Sequence, residues 1–199
     1  MSTETTMAPE AAFDMAFRNA RTFNRFSDKP VTDETLHAIL DLMKWGPTSL
    51  NSQAGRFVFL RSKESRERLR PALSAGNLDK TMAAPITVIV AIDNLFYEYL
   101  PTLFPAYDAR PMFKANPAIA EKTGFRDGTL QGAYFIIAAR MLGLDCGPMA
   151  GFDADKVNAE FFPDGRWRAN FLINLGYGDP AGNYPRNPRL GFDEVARIL

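Results

Sequence analysis

Ile86-Thr87-Val88-Ile89-Val90-Ala91-Ile92 decides how the rest of the chain is read. All but Ala91 are β-branched and only Thr87 is polar, a composition that fits a pleated strand. Apolar residues follow one another instead of alternating, the pattern of a strand covered on both faces. The run predicts the central strand of a single sheet.

Working outward, residues 56–61 read as a second strand centred on Phe57, Val58, Phe59 and Leu60, and residues 171–175 as a third. Helical signals lie between them. Residues 9–20 predict a first helix. Thr32 is placed to cap a second, with Asp33 and Glu34 favourable in its first turn and Gly46-Pro47 stopping it. A charged helical segment over 63–69 ends near Pro71. Residues 95–117, rich in aromatics and prolines, predict an irregular lid or short helices. Leu130, Ala133, Tyr134, Ile137, Ala138 and Met141 form a helical stripe ending at Gly143. Asp153 caps a short helix through Phe162, and a last helical piece falls near 192–199. Helices and strands alternate without a βαβ rhythm, which predicts α+β or α/β layers around one sheet.

Composition narrows the class. The 199 residues are 46% hydrophobic and 23% charged, enough for one packed domain over residues 1–199. Lys plus Arg and Asp plus Glu both number 23, which argues against a general nucleic-acid binder. One cysteine, Cys146, excludes an internal disulfide, and with one histidine, His37, it excludes a His- or Cys-rich metal centre. Residues 1–10 lack the basic head and apolar run of a signal peptide. Residues 85–92, the most apolar stretch, are too few to cross a bilayer. The expectation is a soluble cytoplasmic protein.

No nucleophile elbow, dinucleotide fingerprint or P-loop occurs, and no carboxylate pair stands out. Amides, hydroxyls and cations beside glycine-rich turns suit a cofactor that does its own chemistry. Four segments carry them. Arg21-Thr22-Phe23-Asn24-Arg25-Phe26 offers guanidinium and hydroxyl to a phosphate, or is an interhelix turn. Pro47-Thr48-Ser49-Leu50-Asn51-Ser52-Gln53 can read a polar ring edge, or is a helix-stop loop. Asn77 and Lys80 share a helical face, an amide and an ammonium for a heterocycle carbonyl, or belong to a charged surface. Gly147-Pro148-Met149-Ala150-Gly151-Phe152-Asp153 lets backbone approach a flat ring, or is a plain turn.

In this order the four segments resemble the nitroreductase family. Its loop Pro-Ser-Ser-x-Asn-x-Gln is matched by residues 47–53, its Asn-x-x-Lys pair by Asn77 and Lys80, and its Pro-x-x-Gly-Phe-Asp turn by residues 148–153. Arg21-Thr22 stands where the family has Arg-x-Ser, Ala150 where many members have Glu, and Arg186 and Arg189 where basic residues meet a flavin phosphate. The resemblance implies an α+β fold with a mainly antiparallel sheet flanked by helices, in an intertwined homodimer. It implies bound FMN and NADH or NADPH as hydride donor in a ping-pong cycle. The implied FMN contacts are Arg21, Thr22, Asn24, Pro47, Thr48, Ser49, Asn51, Gln53, Asn77, Lys80, Pro148, Met149, Ala150, Gly151, Arg186 and Arg189. Lys80 would support negative charge on the reduced ring, and no side chain would act as nucleophile. The stripe over 130–141 becomes a candidate dimer helix, or remains ordinary core.

The runs LMKWGPTSLNS (42–52), ERLRPALSAGNLDKTMAAP (67–85), FYEYLPTLFPAYDAR (96–110) and GLDCGPMAGFD (143–153) resemble the branch of that family that reduces malonic semialdehyde to 3-hydroxypropionate in pyrimidine degradation. A carboxylate substrate calls for another cation, with Arg56, Arg110 and Arg126 as candidates. The rival readings are a broad nitro- or quinone-reductase and a flavin-binding protein without turnover.

Overall fold

The computed structural model describes residues 10–199, so Pro9 of the expected first helix and the signal-peptide reading of residues 1–9 lie outside the described residues. Strands β1 (Gly55–Leu60), β2 (Ile86–Asp93), β3 (Asp145–Met149) and β4 (Trp167–Gly176) form one antiparallel sheet in the order β1-β2-β4-β3. β2 is central, and all eight of its residues are buried. Val88 faces Phe59 on one side and Ile173 on the other. A register shift between Val90 and Ala91 leaves Asn170 unopposed on β4, a one-residue bulge.

β3 corrects the reading of residues 147–149 as part of a turn. Asp, Gly and Pro are poor strand formers, so local propensity hides it. It forms because β4 offers a complete ladder, from Asp145 opposite Gly176 to Met149 opposite Leu172. Its place at the sheet edge tolerates Pro148.

The helices are α1 (Glu10–Phe13), which runs on as a π-helical turn over Asp14–Arg18, α2 (Asp33–Met43), α3 (Lys63–Leu69), α4 (Ala75–Ala83), α5 (Leu100–Leu103), α6 (Arg110–Ala115), α7 (Pro117–Met141), α8 (Ala154–Phe161) and α9 (Phe192–Val195). The expected caps form: Thr32 accepts from the Thr35 N–H at 3.3 Å and Asp153 from the Lys156 N–H at 3.1 Å. α9 stops four residues short of the expected end. Helices α2 and α7 cover one face of the sheet, where Ile39, Met43, Phe135 and Ala139 pack on Val88, Val90 and Ile173. On the other face Leu69 of α3 and Val157 of α8 pack on Ile89 and Leu172.

α7 is longer than its apolar stripe, and it is turned outward from it. Of the expected stripe, Leu130, Ala133 and Met141 face solvent, Tyr134 and Ile137 are half-buried, and Ala138 is buried in the core. The buried seam is Gly124, Asp127, Gly128, Gln131, Gly132, Phe135 and Ala139. A Cβ on Gly132 would lie 2.4 Å from the Phe171 ring, so only glycine lets the helix come this close to the sheet. Periodicity defines a face; here the glycines make the closest approach to the sheet, Phe135 fills the core beside them, and Leu130 and Met141 are left outside. No helix among the described residues is long and apolar enough to cross a membrane.

Candidate functional site

The site builds along the free edge of β3. Thr22 bridges to Cys146, and the Phe23 N–H donates to the Cys146 carbonyl at 3.1 Å. This brings the first segment beside the C-terminal tail. Arg21, Thr22, Asn24, Arg186 and Arg189, five of the expected contacts, line one cleft of ≈ 650 Å³ together with Arg140. Arg21 donates to the Tyr184 carbonyl, Arg186 to those of Arg18 and Ala20 at 2.8 and 2.9 Å, and Arg189 to those of Asn187 and Pro188. Carbonyls orient a guanidinium without cancelling its charge. Arg18, by contrast, is held by Glu10 and Asp14.

Arg140 is a residue that the sequence reading missed. It ends α7, donates to the Ala16 carbonyl at 3.0 Å, and its Nε is buried without a partner among the described residues. Asp145 lies near enough to feel its charge. Burial pushes the Asp145 carboxyl up, opposed by the Gly178 N–H and by Arg140. The one signal for Arg140 was a cation in the last turn before Gly143, which the helix dipole alone explains.

Three residues beyond Cys146, about 10 Å along the strand, β3 runs into the Gly151 turn. Here the third and fourth segments meet. The Asn77 amide donates to the Gly151 carbonyl at 2.8 Å, and the Ser74 N–H donates to the same oxygen at 3.1 Å. A Cβ on Gly151 would lie 2.5 Å from Asn77 Nδ2, so the turn needs glycine. One Asn77 donor is thus committed to holding the turn. The Gly151 N–H has no acceptor among the described residues. Lys80, one turn on from Asn77, is half-buried and makes no ion pair among them. Ala150 is exposed. The Met149 side chain belongs to the core: its sulfur lies 3.5 Å from the Thr81 hydroxyl, so only its backbone is available to a ligand.

The second segment is elsewhere. Residues 47–53 lead into β1, at the opposite edge of the sheet, three strand spacings or about 14 Å from β3. One copy of the chain therefore does not bring Pro47, Thr48, Ser49, Asn51 and Gln53 to the cleft. The loop is tied to α7 instead, by Tyr134 donating to the Pro47 carbonyl at 3.0 Å and by Asp127. Asn51 donates to the Leu103 carbonyl of α5 at 3.0 Å and accepts from the Gln53 amide at 3.1 Å.

The three cations offered for a substrate carboxylate are engaged by acids of this chain. Arg56 donates to buried Asp93 at 2.7 Å. Arg110 grips Asp108 through two nitrogens and holds its carboxyl down to about 2. Arg126 contacts Asp127 at 3.2 Å and the Ser49 hydroxyl at 2.7 Å. His37 is exposed on α2. Burial pushes the Cys146 thiol up to about 12, which leaves it protonated and unreactive.

A family model, the Nitroreductase family, matches residues 18–177. The chain belongs to the nitroreductase family. A protein of Burkholderia lata, provisionally named an NADH dehydrogenase/NAD(P)H nitroreductase, is 58% identical over 97% of this chain and 99% of its own. A Rhodopseudomonas palustris protein with the same provisional name is 54% identical over 96% and 97%. Among solved structures, a nitroreductase-like protein from Exiguobacterium sibiricum in complex with FMN shares the fold at a TM-score of 0.84, with 19% identity over 98% of this chain and 100% of that one. This member of the nitroreductase family thus has the expected antiparallel sheet flanked by helices, with β3 as a fourth strand beyond the three read from the sequence.

Proposed function

We propose that the chain is an FMN-dependent NAD(P)H oxidoreductase that works as a homodimer. One observation carries the flavin reading: a cleft lined by cations that lean on carbonyl oxygens, with the Arg140 Nε left without a partner among the described residues, is joined through Thr22 to the same strand, β3, that leads into a glycine turn whose N–H has no acceptor among them. That donor set fits a phosphate joined to a flat polar ring. Arg21, Arg186 and Arg189 would neutralise the phosphate, and Thr22 and Asn24 would donate to its oxygens. Gly151 would give its N–H to the ring at close approach, and Lys80 would set positive charge beside the ring's polar edge. Bound FMN supplies the hydride relay between a nicotinamide and an acceptor. With the thiol buried and His37 remote, no side-chain nucleophile is offered. The provisional names of the relatives support the nicotinamide donor.

The dimer has its own support. Thr48, Ser49, Asn51 and Gln53 lie across the sheet from the cleft, so a second copy related by a two-fold axis would complete the site. An apolar surface suited to such a contact is uncovered: Leu130 and Met141 on α7, and near the end of α2 Leu42 and Trp45, the latter 81% exposed.

The acceptor has two readings. The sequence runs support malonic semialdehyde. The pairing of Arg56, Arg110 and Arg126 with acids of the same chain favours an uncharged nitro compound or quinone. Steady-state rates on both decide; an aldehyde acid that is not turned over sinks the first.

The test of the flavin reading is the visible spectrum of the purified protein, titrated anaerobically with NADH and NADPH. Bleaching by either is expected. A preparation that stays colourless after FMN addition overturns the reading, and bound FMN that neither donor bleaches makes the chain a flavin carrier without turnover. Lys80→Ala is expected to weaken FMN binding or slow its reduction about tenfold, the effect of losing one charge-assisted hydrogen bond. Stopped-flow reduction and equilibrium titration check this.

A further inference from the structure

We infer that Asp127 is a positioning residue that sets the ligand-binding shape of the loop over residues 47–53; the ligand half of this rests on the flavin reading above. Asp127 lies in the buried seam of α7 and is fully shielded from solvent. Each carboxylate oxygen takes two donors. Oδ2 accepts from the Ser49 N–H at 3.1 Å and the Ser52 hydroxyl at 2.7 Å. Oδ1 accepts from the Ser49 hydroxyl at 3.1 Å and Arg126 Nε at 3.2 Å. Arg126 in turn reaches the Ser49 hydroxyl at 2.7 Å, closing a ring of contacts.

All of these donors belong to the loop or to the one arginine that also holds the loop. None comes from the sheet. A buried carboxylate is costly to desolvate, and in a helix seam an apolar side chain would serve packing better. The free energy gained from its four bonds therefore goes into the shape of residues 49–52.

That shape needs holding. Leu50, Asn51 and Gln53 have φ of 52°, 51° and 44°, left-handed backbone without a glycine among them. Leu50 has no polar side chain to ease it. The Gln53 side chain bonds only within the loop, to Asn51 at 3.1 Å, and its N–H donates to the Thr48 hydroxyl at 3.2 Å. The conformation costs about 1–2 kcal/mol at each of the two. Such conformers persist only where the surroundings over-determine them. Bonds internal to the loop, such as the Ser52 N–H to the Ser49 carbonyl at 2.9 Å, close the turn without fixing it to the fold. Asp127 fixes it, with Tyr134 two turns further along α7. One expected contact changes role in consequence. The Ser49 hydroxyl turns inward onto Asp127 and Arg126, while Asn51 is left exposed. Ser49 anchors the loop to α7; Thr48, Asn51 and Gln53 each make one or more bonds within the loop or to α5 and keep only their remaining donors and acceptors for a ligand.

Asp127→Asn tests this, because an amide nitrogen is no acceptor for the donors it would face. In the FMN-free protein, amide hydrogen exchange over residues 48–54 is expected to accelerate at least about tenfold while β2 keeps its protection. In the FMN-loaded protein, the FMN Kd and off-rate are expected to rise by about tenfold. Ser52→Ala, which removes one donor and buries no unpaired charge, should move both readouts in the same direction by less. Asp127→Glu, which keeps the charge, should recover part of the affinity. Loop exchange unchanged in both Asp127→Asn and Ser52→Ala overturns the positioning role. Accelerated exchange with FMN affinity unchanged overturns the link to the ligand. Should Asp127→Asn fail to fold, Ser52→Ala alone decides: loss of melting temperature with no change in loop exchange or FMN affinity counts against the proposal. A wild-type chain that binds no FMN sinks the flavin reading and leaves the exchange result to judge Asp127.

Discussion

Asp93→Ala is expected to cost about 3 kcal/mol of folding stability, the low end for breaking a buried ion pair by removing one partner. Asp93 ends β2 with its side chain 1% exposed. It accepts from Arg56 Nη2 at 2.7 Å, from Arg166 Nε and Nη2 at 2.7 and 3.2 Å, and from the Leu95 N–H at 2.9 Å. The two guanidiniums are 19% and 27% exposed, and the Tyr99 ring lies 5.3 and 5.9 Å from them. Without the carboxylate, Arg56 keeps only the Gln53 and Gly55 carbonyls, and Arg166 keeps Glu98. Partial exposure lets water soften the loss, which sets the low end. Asp93 also starts the Phe96–Tyr99 turn that leads into α5, so faster proteolysis around residues 95–104 should accompany the drop. Urea denaturation gives the number; a midpoint equal to that of the unmodified chain removes the network from the account of stability.

Gly147→Ala is expected to abolish tight FMN binding, with a stability loss of about 1–3 kcal/mol from overpacking. The added Cβ would lie 2.4 Å from the Phe23 carbonyl, a backbone atom that cannot rotate away. The strand edge would have to shed residues 22–23, and with them the bridge that places Arg21, Thr22 and Asn24 in the cleft. Affinity should fall by about a hundredfold, as for the loss of two charge-assisted contacts. Gly76→Ala is the control: it lies in α4 with nothing within 4 Å of the new methyl, and should leave binding intact and the helix slightly more stable. Fluorescence titration of FMN into both proteins compares them. Equal affinities would falsify the claim that the β3 edge builds the cleft.

Some of this was legible in the sequence and some was not, for physical reasons. β2 could be read because burial on both faces leaves a continuous apolar run. The caps at Thr32 and Asp153 could be read because they are local hydrogen bonds. β3 could not, because Asp145, Gly147 and Pro148 are a strand only by virtue of β4, many residues away. The outward turn of α7 could not, because Gly124, Gly128 and Gly132 look like weak helix formers until the sheet beneath them is known. In the candidate site, Arg21, Arg186 and Arg189 line one cleft. The amide of Asn77 and the hydroxyl of Ser49, read as ligand donors, are instead held by the Gly151 carbonyl and by Asp127. Sequence spacing shows which side chains can hydrogen-bond; the folded chain decides which are already taken.

The sheet order has a consequence for how the protein is made. β2 emerges from synthesis about 80 residues before β4, its second neighbour. Until then the most apolar strand in the chain has one open edge, and α7 has no complete floor to settle on. Closing such a distant pair is slow compared with forming local helices, and a bare β-branched strand invites pairing with other chains. The vulnerable species in a cell is therefore the nascent chain cut short before residue 167, which would be expected to lean on chaperones far more than the finished one.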